Sequence, residues 1–183
     1  MRSKRLALLA LPLLLAAKPE PTRDEERKNP YDGLSFRALG PSFFSGRISD
    51  FAVLPGGGHA YYVATASGGL WLTTDNGTTW TPLFDGEDSY ALGVVELDPE
   101  NPRTVWVGTG ENNAQRSVGW GDGVYKSLDG GKNWTRVGLE RSGHIGQIAI
   151  HPEATDTVFV AAQGPLWSSG GERGVYKTTD GGE

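Results

Sequence analysis

One short phrase recurs three times in this chain. It reads Leu70-Trp71-Leu72-Thr73-Thr74-Asp75-Asn76-Gly77-Thr78-Thr79-Trp80, then Val124-Tyr125-Lys126-Ser127-Leu128-Asp129-Gly130-Gly131-Lys132-Asn133-Trp134, then Val175-Tyr176-Lys177-Thr178-Thr179-Asp180-Gly181-Gly182-Glu183. The aspartates stand 54 and 51 positions apart. A fixed period of this length marks a repeat architecture, in which each unit buries its apolar surface against the next. The third copy stops before its tryptophan, so the reading is of a piece of a longer protein.

The register extends beyond the phrase. Pro55, Pro99 and Pro152 share one position. Seven residues earlier stand Ile48, Leu92 and Ile145, each followed by a small residue: Ser49, Gly93 or Gly146. Six residues after the proline come Tyr61, Val105 and Val158. The spacing predicts four strands per unit: 47–54, 91–98 and 144–151; then 60–65, 104–109 and 157–162; then 70–73, 124–127 and 175–178; then a strand from Trp80 or Trp134. Val, Ile, Tyr, Trp and Thr dominate these runs, as pleated buried surfaces require. Apolar alternation is weak in the first two strands of each unit, which fits sheets covered on both faces. Four-stranded sheets packed radially make a β-propeller.

The expected fold is therefore all-β, a propeller fragment of about three four-stranded blades, the last incomplete. Blade one covers 46–84, blade two 91–139 and blade three 144–183. Residues 35–40 align with 133–138, and 34–40 reads as a closing outer strand. Ahead of it, 18–33 reads as a flexible charged linker. Residues 1–17 read as a signal peptide: Arg2, Lys4 and Arg5 precede an apolar run too short to span a bilayer. The expected location is secreted or periplasmic, in a bacterial envelope, with no transmembrane segment beyond the signal. The chain has no cysteine, so neither a disulfide framework nor a lipid-attachment thiol is available. A net charge of −5 excludes the electrostatic footprint of a nucleic-acid binder.

The phrase S/T-x-D-x-G-x-T-W, carried by Thr73, Asp75, Gly77, Thr79 and Trp80 and more loosely by Asp129, Gly131 and Trp134, resembles the Asp-box or BNR repeat. The resemblance spans about 34–183. It is to sortilin-like and BNR-repeat "glycosyl hydrolase"-type bacterial secreted proteins, to sialidases, to xyloglucan-degrading hydrolases and to photosystem II assembly-factor-like proteins. It implies a propeller; the scaffold hosts unrelated activities. The set Asp75, Gly77, Trp80, Asp129, Gly131, Trp134, Asp180 and Gly182 reads as structural: each Asp takes turn amides, Gly supplies positive φ, and the Trp packs on its own blade.

In a meander the aspartate turns lie on one face, and the variable loops on the other. Loops on a rigid scaffold are where binding is placed. The richest loop, 110–122, offers Glu111, Asn112, Asn113, Arg116, Trp120 and Asp122 as candidate ligand contacts. Trp167 and Arg173 lie in the matching loop one blade on, and Arg47 and His144 at equivalent positions near the axis. No cofactor and no metal is expected; the partner is a protein or carbohydrate ligand, with further blades of the full-length chain. The expected function is binding through the loop face. The alternative is a xyloglucanase- or sialidase-like glycoside hydrolase, whose chemistry needs two facing carboxyls. The catalytic residues are unknown. The resemblance to xyloglucanases implies an aspartate in a T-D-x-G-G stretch, but Thr65-Ala66-Ser67-Gly68-Gly69 has no carboxylate. Against the F-R-I-P of sialidases, Gly46-Arg47-Ile48-Ser49 keeps only the middle pair.

Overall fold

A computed structural model of the protein describes Gly33, 46–113 and 117–183. The signal-peptide, linker and closing-strand expectations, together with Arg116, lie outside the described residues.

Eleven strands form three antiparallel meanders, and no helix occurs among the described residues. Blade one is β1 (Ile48–Val53), β2 (Tyr61–Thr65), β3 (Leu70–Thr73) and β4 (Thr81–Pro82). Blade two is β5 (Leu92–Leu97), β6 (Val105–Thr109), β7 (Val124–Ser127) and β8 (Thr135–Gly138). Blade three is β9 (Ile145–Ile150), β10 (Val158–Gln163) and β11 (Arg173–Thr178), without a fourth strand. These are three consecutive blades of a β-propeller, the third incomplete.

Apolar residues on both faces of the sheets create two inter-blade cores. Tyr62, Ala64 and Leu70 of blade one meet Leu92, Val95, Val105, Val107 and Tyr125 of blade two. Val94, Trp106 and Val124 of blade two meet Ile145, Ile148, Val158 and Val160 of blade three. Every residue of β6 is buried. That is why strict alternation is missing from the sequence of the middle sheet.

The small residue after each first-strand Ile or Leu has a local cause. The β1–β2, β5–β6 and β9–β10 registers each slip there, around Ser49, Gly93 and Gly146. A bulge bends the innermost strand where blades converge. At Gly93 a Cβ would sit 2.2 Å from the Ile145 carbonyl oxygen and 2.7 Å from that of Gly110. No larger residue fits between blades two and three.

The aspartate turns join strands three and four. Asp75 accepts from the Thr79 amide at 2.8 Å and the Thr79 hydroxyl at 2.7 Å. Asp129 accepts from the Lys132 and Asn133 amides, both at 3.0 Å, and from the Asn133 side chain at 2.6 Å. Asp180 takes the Thr178 hydroxyl and the Gly182 amide. These donors favour the charged form. Asp75 is lowered chiefly by the Thr79 amide, Asp129 by the Asn133 side chain and Asp180 by Thr178.

The tryptophan of the phrase is a correction. Trp134 leaves its own blade: its indole N–H donates to the Leu83 carbonyl at 2.7 Å, and its ring meets Phe84 edge-on at 5.1 Å. Both partners follow the last strand of blade one. Trp80 has no preceding blade among the described residues and rests on Tyr61 of its own sheet at 5.7 Å. The residue faces the blade before it, so its surroundings are decided by the neighbour.

Candidate functional site

The loop between β6 and β7 is pinned at its base by Thr109. The Thr109 hydroxyl accepts from the amides of Asp122 at 2.8 Å and Gly123 at 3.0 Å. From there the loop crosses toward both neighbouring blades. Gly110, at φ +85°, lies so close to blade three that a Cβ would stand 2.0 Å from the Gly143 carbonyl oxygen. The Gly121 amide donates to that carbonyl at 2.8 Å. Gly119 packs on Ala91 and on the Ala66 carbonyl of blade one. The segment is therefore built into the junction of three blades.

Glu111 is the hub. It is fully buried. Its carboxylate takes the guanidinium of Arg47, which precedes β1, with Nε at 2.6 Å from Oε1. Its amide donates to Gly119 O at 2.9 Å, and its carbonyl lies 2.8 Å from Nδ1 of His144, which precedes β9. Arg47 and His144 are thus equivalent positions of different blades, brought to opposite ends of one residue. Next to it, the Asn112 side chain donates to Gly93 O at 3.2 Å and Gly146 O at 3.4 Å.

His144 is also buried, and burial lowers its pKa. The Glu111 carbonyl can only accept, so Nδ1 carries the proton and Nε2 keeps its lone pair. Among the described residues, three buried acceptors around Glu111 and Asn112 have no partner: Glu111 Oε2, His144 Nε2 and Gln163 Oε1. Over the His144 ring lies Trp120, with centroids 5.1 Å apart. Its backbone carbonyl takes the Ser89 hydroxyl at 3.1 Å, and its indole remains 56% exposed. Arg47 is half exposed on the same assembly.

The other candidates fall elsewhere. Asp122 accepts from Tyr125 OH at 2.5 Å and Arg136 at 3.0 Å. Burial, then that bond, raise the Tyr125 pKa. Asn113 is exposed. Arg173 donates to Pro165 O and Ser168 O, bracing its own loop, where Trp167 is 64% exposed. That loop is tied to the blade two–three connection through Arg141 and Glu172. The structure thus unites Arg47, Glu111, Asn112, Trp120 and His144, and separates Asp122, Trp167 and Arg173 from them. Sequence reasoning passed over Thr109 and Gly110. Thr65, at the Thr109 position of blade one, bonds its own loop at Gly69 O (2.9 Å) and was the available signal.

No family model matches this chain. It is similar to a probable oligoxyloglucan-reducing end-specific xyloglucanase of Neosartorya fischeri, 27% identical over 108 residues. It is 31% identical over 108 residues to xyloglucanase Xgh74A of Acetivibrio thermocellus. These matches cover 57% and 47% of the chain but only 12% of each relative. Among solved structures, a GH74 enzyme of Niastella koreensis superposes with a TM-score of 0.54 at 27% identity, over 73% of this chain and 20% of that one. An ancestral GH74 enzyme gives 0.57 at 21%, over 74% and 18%. YCF48 from Cyanidioschyzon merolae gives 0.50 at 20%, over 75% and 35%. The last two likenesses concern the fold alone.

Proposed function

We propose that this chain is an Asp-box propeller segment that binds a glycan, of the xyloglucan class its relatives are named for, at the rim formed by Trp120 and Arg47. The observation that carries this is the Trp120 indole, exposed on one side and held on the other by His144, whose Nδ1 meets the carbonyl of the Glu111 that pairs with Arg47. A rigid aromatic face beside a cation and amide groups suits stacking on a sugar ring with hydroxyls held at its edge. The basic and apolar start of the sequence supports export, which is where such a polysaccharide would be met.

Glycoside hydrolysis is the second reading, favoured by the xyloglucanase relatives. It needs one carboxyl free to act as acid and another facing it. Of the two carboxylates in the 110–122 loop, Glu111 is held by Arg47, and Asp122 by Tyr125 and Arg136. The stretch 65–69 supplies none. Binding is therefore the stronger reading for these blades.

The test is affinity electrophoresis and calorimetry on xyloglucan, cellulose-type glucan and a sialylated glycan. Retention by xyloglucan that Trp120→Ala weakens about tenfold, roughly 1.4 kcal/mol, is the expected result. Equal retention by the wild type and Trp120→Ala, or none by either, overturns it. Reducing-end release in the same mixtures tests the hydrolase reading.

A further inference from the structure

The loop after the second strand of a blade reaches the next blade by one repeated bond. The amide of Gly69 donates to Tyr90 O at 2.9 Å, and that of Gly121 to Gly143 O at 2.8 Å. Tyr90 and Gly143 are therefore equivalent, each two residues ahead of the innermost strand of the following blade. The entries to the two loops match as well: the Ala66 amide donates to Arg47 O, and the Gly110 amide to Ala91 O.

Between these fixed points the loops differ in length. In blade two the chain runs from Gly110 to Gly121, and it lays Trp120 over Gly143, where a Cβ would stand 3.1 Å from Trp120 Cε3. In blade one it runs only from Ala66 through Ser67 and Gly68 to Gly69, with no large side chain to lay over Tyr90. Tyr90 is 65% exposed, while Ser89 and Ala91 on either side of it are buried. With its carbonyl bonded to Gly69 and both neighbours turned inward, its ring is left on the solvent side. The blades that flank it, one and two, are both complete four-stranded sheets.

Tyr90 rises beside Trp120. The Ser89 hydroxyl donates to Trp120 O at 3.1 Å, and a Cβ on Gly119 would stand 2.4 Å from that of Ala91. Segments 89–91 and 119–120 thus touch on both sides of Tyr90. Two exposed aromatic rings leave the loop face from adjoining chain.

We propose that Tyr90 is a second sugar-stacking platform of the site that holds Trp120, and that the ligand is a linear glycan laid across the junction of blades one and two. This rests on the reading of Trp120 as a glycan contact. One aromatic face holds one ring, whereas two on one rim engage a chain of several sugars. The site therefore selects long chains over short ones. The Tyr90 ring supplies an apolar face with a hydroxyl at its edge.

The test titrates the 183-residue chain, Tyr90→Ala, Tyr90→Phe and Trp120→Ala calorimetrically with xyloglucan oligosaccharides of one and of two repeat units. The wild type should bind the longer about fivefold more tightly than the shorter. Tyr90→Ala should lose that gain, and Tyr90→Phe should keep it, with the melting temperature of both unchanged. If Tyr90→Ala keeps the gain while Trp120→Ala binds weakly, this inference falls and the glycan reading stands. If the wild type binds neither oligosaccharide, both fall. Equal affinity of the wild type for the two lengths overturns the inference. So does a loss shared by Tyr90→Phe, or one accompanied by a lower melting temperature, which would assign Tyr90 to a hydroxyl contact or to the fold.

Discussion

Nδ1 of His144 lies 2.8 Å from the main-chain carbonyl oxygen of Glu111, across the boundary between blades two and three. This bond sets the tautomer of a buried imidazole and ties the central loop to the next blade. Because burial lowers the His144 pKa, folding favours the neutral ring. The unfolded chain takes up the proton at about pH 6.5, earlier than the folded one. Stability is therefore present above that pH and is lost as pH falls from about 6.5 toward the lower folded value. Melting temperature against pH should show this slope, and His144→Gln, whose amide can still donate to Glu111 O, should flatten it. A slope unchanged in the variant contradicts the assignment.

A second, more acid window belongs to the aspartate turns. Asp75, Asp129 and Asp180 are all held below the usual carboxylate range by turn donors. Their contribution is present above about pH 4, the unfolded value, and is lost as pH falls through the lower folded values. Asp129→Asn should make the melting temperature less dependent on pH below 4 while leaving the His144 window in place. Thermal melts at closely spaced pH values separate the two.

The two tryptophans of the repeated phrase should behave differently despite their equivalent positions. Trp134→Ala removes a ring seated on Phe84 and an indole bond to Leu83 O. It should cost about 3–5 kcal/mol. Trp80→Ala, whose ring among the described residues rests on Tyr61 of its own sheet and is 36% exposed, should cost clearly less. Urea unfolding of both variants reads the difference.

Arg47→Met should destabilise more than Glu111→Gln. The first leaves a buried carboxylate without its cation, an effect on the order of 1–3 kcal/mol. The second leaves a neutral amide opposite a guanidinium that already reaches solvent. The double variant should recover part of the Arg47→Met loss, as a coupled pair does. Chemical denaturation of the three proteins supplies the cycle.

At the crowded axis, Gly93→Ala places a methyl 2.2 Å from a backbone oxygen that cannot rotate away. A cost of about 1–3 kcal/mol or more is expected, read as a lower melting temperature. Gly86→Ala, with open space around the new Cβ, is the control and should be nearly neutral.

The sequence by itself determined the strand inventory, the four-strand unit and the blade order. The reason is that period, turn chemistry and apolar content are local properties repeated in each unit. Asp75 and Asp129 could be placed in their own turns because their donors, Thr79 and Asn133, are four residues away. Residues whose partners lie in another blade were beyond that reach. Trp134 was assigned to its own sheet, yet it spans to Leu83, 51 positions back. Glu111 looked like any polar loop residue until the fold set Arg47, 64 positions away, against its carboxylate and His144 against its carbonyl. The repeat spells out what each blade contains. Which side chains meet between blades is decided by stacking, because radial packing joins positions one whole period apart.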